Sequence, residues 1–169
     1  MDCSARRLGQ MAVLCVALIV GCTKPTSQSS SAGDEKTVKE SFEAFQAALK
    51  VQDADKLWSL LDSDGRADAE RAATAIREAY AKASAEQKAE QEKALGLPGA
   101  ELAELSGKGF LKTKRFHGKY DEVPESKISK ITIKGDAATV DYVEADGDKE
   151  KLQLVRQEGA WKLSLTMPK

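Results

Sequence analysis

Ile131-Thr132-Ile133-Lys134-Gly135-Asp136-Ala137-Ala138-Thr139-Val140-Asp141-Tyr142 decides the fold class, because apolar and polar side chains alternate on both sides of a Gly-Asp pair. A period of two belongs to a strand with one buried face, and Gly135-Asp136 suits the tight turn of a hairpin. The pattern repeats downstream. Asp146-Gly147 marks a second turn before Leu152 and Leu154, and Glu158-Gly159 a third before Trp161, Leu163 and Leu165. Turns this short join neighbouring strands into an antiparallel meander, one face against helices and the other in water. The strand period is expected from Phe110 onward.

Upstream the period is helical. Val38, Phe42, Phe45 and Leu49 form one apolar stripe, with Lys39, Glu40, Glu43 and Lys50 off it. Asp53 is placed to cap a second short helix carrying Leu57, Trp58, Leu60 and Leu61, with Asp55 favoured in its first turn. Gly65 suits a left-handed end for that helix. Residues 67–103 are rich in alanine, which favours helix by propensity. Ala69, Ala72, Ile76, Tyr80 and Ala83 give this stretch a thin apolar face. Ser84-Ala85-Glu86-Gln87 reads as a capping box opening a further helix, which Gly96-Leu97-Pro98-Gly99 ends. A short turn of helix is expected over 100–105. So few anchors predict the most mobile part of the fold. Helices first and strands afterwards make an α+β domain: N-terminal helices on a C-terminal curved antiparallel meander, with an extra alanine-rich helical segment between. Phe42, Phe45, Trp58, Trp161 and Leu163 are its expected core.

The first residues are of another kind. Arg6 and Arg7 precede an uncharged run in which Met11–Val20 is almost wholly apolar. A helix crossing a bilayer needs about 20 apolar residues. A shorter run behind positive charge, ending in a small residue, is built like a cleavable signal peptide. Twin-arginine export would also need an aromatic residue and a lysine soon after the arginines, and Leu8-Gly9-Gln10 supplies neither. Ile19-Val20-Gly21-Cys22 resembles the lipobox of bacterial lipoproteins. That resemblance implies cleavage before Cys22, a diacylglycerol on its thiol and an acyl chain on its new amine. An ordinary secretory leader with a chance cysteine is the plainer alternative. Cys3 and Cys15 fall within the leader, so the mature chain would keep Cys22 alone and form no internal disulfide. Thr23 to Gly33 has almost nothing to bury and reads as a flexible tether. The expected division is residues 1–21 as leader, 22–34 as lipidated cysteine and tether, and 35–169 as one domain. Losing Arg6, Arg7 and Asp2 lowers 26 basic and 27 acidic side chains to 24 and 26, a net of −2. Such a balance gives no electrostatic case for nucleic acid.

Ser41-Phe42-Glu43-Ala44-Phe45, Gln52 through Trp58, Lys134 through Val140 and Arg156 through Leu163 together resemble the ketosteroid-isomerase-like superfamily, also called nuclear-transport-factor-two-like. The resemblance covers roughly half of the domain. It implies a cone-like, cystatin-like roll: a bent antiparallel sheet around a long helix, with a pocket at the wide end. The family usually places a strand after the first helical pair. Residues 66–105 carry no such pattern, and extra helix there would replace part of the pocket wall.

The remaining candidate motifs have bland competitors. Asp62-Ser63-Asp64-Gly65 resembles part of a calcium loop, yet aligning Gly65 with the loop's glycine puts Leu60 and Arg71 where oxygen ligands belong. A turn between helices fits better. His117 is the one histidine, which rules out a multi-histidine zinc site. It reads as a surface residue in a basic loop, although its ordinary pKa would suit a general base. Lys112 to Tyr120 mixes cations with aromatics and reads as an edge strand whose lysines deter pairing, with attraction to anionic headgroups as the sharper alternative. An isomerase-like site needs a carboxylate base beside hydroxyl donors. Asp141 and Tyr142 are adjacent on a strand and point to opposite faces. No catalytic residue, metal site or cofactor is expected. The expected role is a lipid-anchored, non-catalytic binding module on the extracytoplasmic, periplasmic side of the cell envelope. Its partners would be membrane lipid through Cys22 and an envelope protein or small hydrophobic ligand. The alternatives are an isomerase-like enzyme for a small hydrophobic substrate and an accessory subunit of an envelope complex.

Overall fold

The structure is a computed structural model that describes residues 32–168. The leader at 1–21, Cys22 and the tether as far as residue 31 lie outside the described residues. The chain runs through α1 (Ala32–Lys50), α2 (Ala54–Leu60), α3 (Ser63–Lys82), α4 (Ala85–Leu95), α5 (Gly99–Ala103), α6 (Gly107–Phe110) and α7 (Lys114–Lys119). After a 3₁₀ turn at Val123–Glu125 come β1 (Lys127–Lys134), β2 (Ala137–Val143), β3 (Lys149–Gln157) and β4 (Ala160–Ser164). The strands form one antiparallel sheet in the order β1-β2-β3-β4. This is the α+β class expected, with helices first and the meander last.

Caps fix where the helices begin. The Asp53 carboxylate accepts from the Lys56 amide at 2.9 Å, and Ser84 with Gln87 closes a full capping box on α4. Gly96 ends α4 at φ 74, a left-handed conformation that glycine enters without steric cost. Gly65 has a different place from the one expected. The break between α2 and α3 is made by extended backbone at Leu61 and Asp62, and Asp62 caps α3 by accepting from the Gly65 amide at 2.6 Å. Gly65 therefore lies in the first turn of α3, where a Cβ would meet Asp62 Oδ1 at 2.9 Å.

The segment around 110–120 is helical, not an edge strand. Ser106 and Thr113 are N-caps, accepting from Gly109 and Phe116 amides. Phe116 of α7 and Tyr120, which caps the helix, then pack on one side, their rings 5.2 Å apart. Period two begins only at Lys127.

The register gives the sheet one buried face. Ile131 pairs with Val140, Ile133 with Ala138, Val140 with Leu152 and Leu154 with Leu163. A bulge between Ile128 and Lys130 lets Ile128 meet Tyr142 on that same face despite its odd spacing from Ile131. The face packs against α1, whose Val38, Phe42, Phe45 and Leu49 are buried as the stripe predicts. Phe42 lies 5.3 Å from Tyr142, and Phe45 5.8 Å from Tyr120, so aromatic rings fill the space between helix and sheet. Each fully buried ring stabilises by about 1.5–3 kcal/mol. Trp161 and Leu163 are inside as expected, while Trp58 is only half-buried, its ring under the Arg66 guanidinium at 5.7 Å. At the far edge a parallel bridge joins Leu61 to Leu163, and the Asp62 amide donates to the Leu163 carbonyl.

In the alanine-rich middle the buried residues of α3 are Gly65, Ala69, Ala73, Ile76 and Tyr80, whereas Ala72 and Ala83 stay half-exposed. The α6 turn approaches α3 through Gly107, where a Cβ would sit 2.8 Å from the Glu70 backbone nitrogen. Glu70 Oε2 accepts the Gly107 amide there.

Candidate functional sites

Two of the concave regions border α7 and the C-terminal tail, one on either side of them. The larger is a groove of about 650 Å³ between α3, α4, α7 and the C-terminal tail. Ala72, Ala75, Ile76 and Ala79 of α3 face Ala94 and Leu95 of α4 across it, and Met167 closes the floor. It exists because the facing side chains are mostly methyl groups. Two helices joined by the Tyr80 hydroxyl, which donates to Glu92 at 2.6 Å, cannot fill the gap with alanine. Polar groups lie at its rim. Arg71 is paired with Asp68, while Arg115 of α7 pairs with no carboxylate among the described residues. Ligand sites commonly enclose about 300–1,000 Å³ with apolar walls and few polar groups.

The second region is a cleft of about 390 Å³ at the end of the sheet, lined by Tyr120, Tyr142, Glu144, Glu150 and Lys151 among others. Tyr142 lies on β2 and Glu144 just past its end, and both line the cleft, while Glu150 stands opposite Tyr142 in the β2–β3 register. Burial pushes the Tyr142 hydroxyl up to about 12, helped by the Glu144 and Glu150 charges. Burial also raises the Glu144 carboxyl above the ordinary carboxylate range, with Glu122, Glu150, Asp146 and Asp148 adding repulsion. Glu122 is raised chiefly by Asp146. The Tyr120 hydroxyl is already committed, donating to the Thr166 carbonyl at 2.9 Å.

Glu122, Glu144 and Asp146 bring one carboxylate oxygen each within 4.8 Å of one another. Three oxygens fall short of the about six to eight that calcium takes. Asp62 is a helix cap and Asp141 pairs outward with Lys151, so neither joins this group. His117 is half-buried on α7, not on the surface of a loop. Burial pulls its pKa down, a bond to the Leu111 carbonyl partly opposes this, and its Nε2 is buried without a partner. It lines neither concave region. Cys22, the expected lipidation site, lies outside the described residues.

The placing of Glu150 beside Tyr142 was open to inspection in the sequence, since the Asp146-Gly147 turn sets the register of the two strands. The groove left no such signal, because alanine marks neither a packed nor an empty helix face. Among the described residues no helix is long and apolar enough to cross a membrane. Comparison with known protein families, with characterised proteins and with solved structures gives no match.

Proposed function

We propose that this chain is a bacterial lipoprotein, anchored through acylated Cys22 on the extracytoplasmic side of the cell envelope, whose domain is a non-catalytic binding module. The ligand class that fits is a small amphiphile, with an apolar body for the alanine groove and an acidic head for Arg115. One observation carries this: a groove of about 650 Å³ with an apolar floor and an unpaired guanidinium at its rim. Desolvated apolar contact supplies affinity there, and a cation at the mouth fixes orientation. A fluorescent long-chain fatty acid tests the binding directly. Saturable binding should weaken in Arg115→Glu and be lost when Ala79→Trp fills the groove; absence of saturable binding to the wild type sinks the reading. The anchor is tested separately. Fatty-acid label on the wild type should vanish in Cys22→Ala, and an unlabelled, soluble wild type refutes lipidation.

A second reading has its own support. A carboxyl held above its ordinary range at Glu144, beside the Tyr142 hydroxyl in a cleft, is the kind of pair an isomerase-like enzyme uses as base and oxyanion donor. Turnover of an enone substrate, abolished by Glu144→Gln without loss of folding, would establish it over the binding module.

A further inference from the structure

The outer face of the sheet carries no helix. None of its side chains is buried, from Lys127, Lys130, Thr132 and Lys134 on β1 across to Lys162 and Ser164 on β4. Six lysines stand on it: Lys127, Lys130, Lys134, Lys149, Lys151 and Lys162. Only one strand carboxylate shares the face, Asp141, and Lys151 is paired with it at 2.9 Å. The Lys162 amine donates to the Ser59 carbonyl at 2.6 Å. The other four are exposed, and no carboxylate pairs with them among the described residues. A chain of nearly balanced charge has thus gathered unpaired cations on one open surface.

Acids collect at one end of the sheet, the end that also bears Lys127 and Lys149. Asp121, Glu122, Glu144, Asp146, Asp148 and Glu150 crowd the end of the sheet at which β1 begins and β2 turns into β3. The opposite end is where the chain enters the domain. Asp34 in the first turn of α1 accepts from Arg156, which also meets Asp136 in the β1–β2 turn. At the other end of α1, Gln46 and Lys50 reach Val123, Glu125 and Ser126, just before β1. Residues 22–31 therefore join the domain at the end that bears Lys134, away from the acidic end.

We infer that the outer face of the sheet rests on the anionic headgroups of the membrane to which the chain is tethered, with the acidic end directed away. The inference relies on the lipoprotein reading for the tether. Ten residues span at most about 35 Å when extended, which keeps the lysine face within reach of the lipid surface. Anionic lipid attracts each nearby lysine and repels the acidic end, so Lys130 and Lys134 sit closest to the lipid, and Lys127 and Lys149 follow them on the same face beside the acids. Threonine, glutamine and alanine lie between the lysines, and the two valines of the face, Val143 and Val155, are half-buried and isolated from each other, which suits a surface that rests on headgroups without entering the hydrocarbon.

The test uses the full-length protein, purified from membranes and reconstituted in vesicles of phosphatidylcholine alone or with phosphatidylglycerol added. An amine-reactive reagent reports the accessibility of each lysine by mass spectrometry. Labelling of Lys127, Lys130, Lys134 and Lys149 should slow several-fold on the anionic vesicles and recover at high salt, while Lys82 and Lys93 on the helices stay unchanged. Equal labelling on the two vesicle types overturns the inference. So does protection by soluble polyphosphate but not by vesicles. In the triple variant Lys127→Gln, Lys130→Gln, Lys134→Gln, Lys149 should regain fast labelling on anionic vesicles; continued protection means that charge does not hold the face, and overturns it as well. The intact mass of the same sample reports acyl chains at Cys22. An unacylated chain removes the lipoprotein reading alone, and the face is then judged by sedimentation with anionic but not neutral vesicles; failure to sediment overturns it.

Discussion

The Arg156 guanidinium donates to the Asp34 carboxylate at 2.6 Å and lies 4.6 Å over the Trp161 ring, so a single side chain fastens the first turn of α1 to both β3 and β4. Both members of the ion pair are about one-third exposed, which limits what the pair alone contributes. The contact with the ring adds about 0.5–2 kcal/mol. Arg156→Ala should therefore cost roughly 1–2 kcal/mol in chemical denaturation. Amide exchange should quicken over residues 34–38 before any other part of α1. Uniform quickening along the helix would show that Arg156 holds something other than this turn.

Trp161 allows the two parts of an indole to be weighed separately. It is 4% exposed, and its Nε1 is buried without a partner. Trp161→Ala removes packing and leaves a cavity, at a cost of about 3–5 kcal/mol. Trp161→Phe keeps much of the packing and removes the unsatisfied donor, a group that costs roughly 1–3 kcal/mol when left unpaired. The phenylalanine variant should melt near the wild type and far above the alanine variant. Equal losses in the two would mean that the ring nitrogen is satisfied in solution.

Gly107→Ala should destabilise by about 1–3 kcal/mol, because its Cβ must displace backbone and not a flexible side chain. Gly118→Ala is the control, with nothing within 4 Å of the added carbon. There the substitution should be neutral or slightly stabilising. Thermal melts that rank the two variants the other way would refute the close approach of α6 to α3.

The acidic end of the sheet gives stability an unusual pH trend. Glu122 and Glu144 have raised pKa values in the folded chain, so the folded state holds their protons more tightly than the unfolded state. Their contribution is unfavourable at neutral pH. It is relieved as pH falls through the raised folded values, with no further gain below the ordinary glutamate value of about 4.5. Glu144→Gln should accordingly raise the melting temperature at about pH 7 and lose that advantage near about pH 4.5. A variant less stable than wild type at neutral pH would mean that Glu144 makes a favourable contact that outweighs repulsion.

Among its residues α4 buries Leu95 alone, whereas β2 buries Ala138, Val140 and Tyr142 and is paired on both sides. Hydrogen exchange should be fast in α4 and slowest in β2 and β3. The reverse order would remove the case for an adaptable helical wall around the groove.

These contrasts also explain which parts of the fold were legible beforehand. Asp53, Ser84 and Gly96 act through their own neighbours in the chain, so local chemistry revealed them. The strands from Ile131 onward were plain because turn residues and alternation agreed. Residues 107–120 misled because a lone Phe110-Leu111 followed by lysines carries neither period, and Ser106 and Thr113 were the true signal. Gly65 misled because glycine serves the first turn of a helix beneath an aspartate cap as readily as it ends a helix. The acidic cleft follows from register, which could be worked out once the Asp146-Gly147 turn was located. The groove depends on how far apart α3 and α4 are held, a distance set by Tyr80, Glu92 and α7 that no local pattern encodes.

The parallel bridge from Leu61 to Leu163 occupies the outer edge of β4, which leaves β1 as the sheet's open edge. A strand that joins β1 from another copy meets Lys127, Lys130 and Lys134 beside its own lysines, and like charges side by side oppose the pairing. Should two copies overcome that repulsion, each would present only its partly covered β4 edge to the next arrival. Such a sheet resists polymerisation: once paired through β1 it offers only the part of β4 that Leu61 leaves uncovered. A sheet covered at one edge and charged at the other is a poor template for fibre growth.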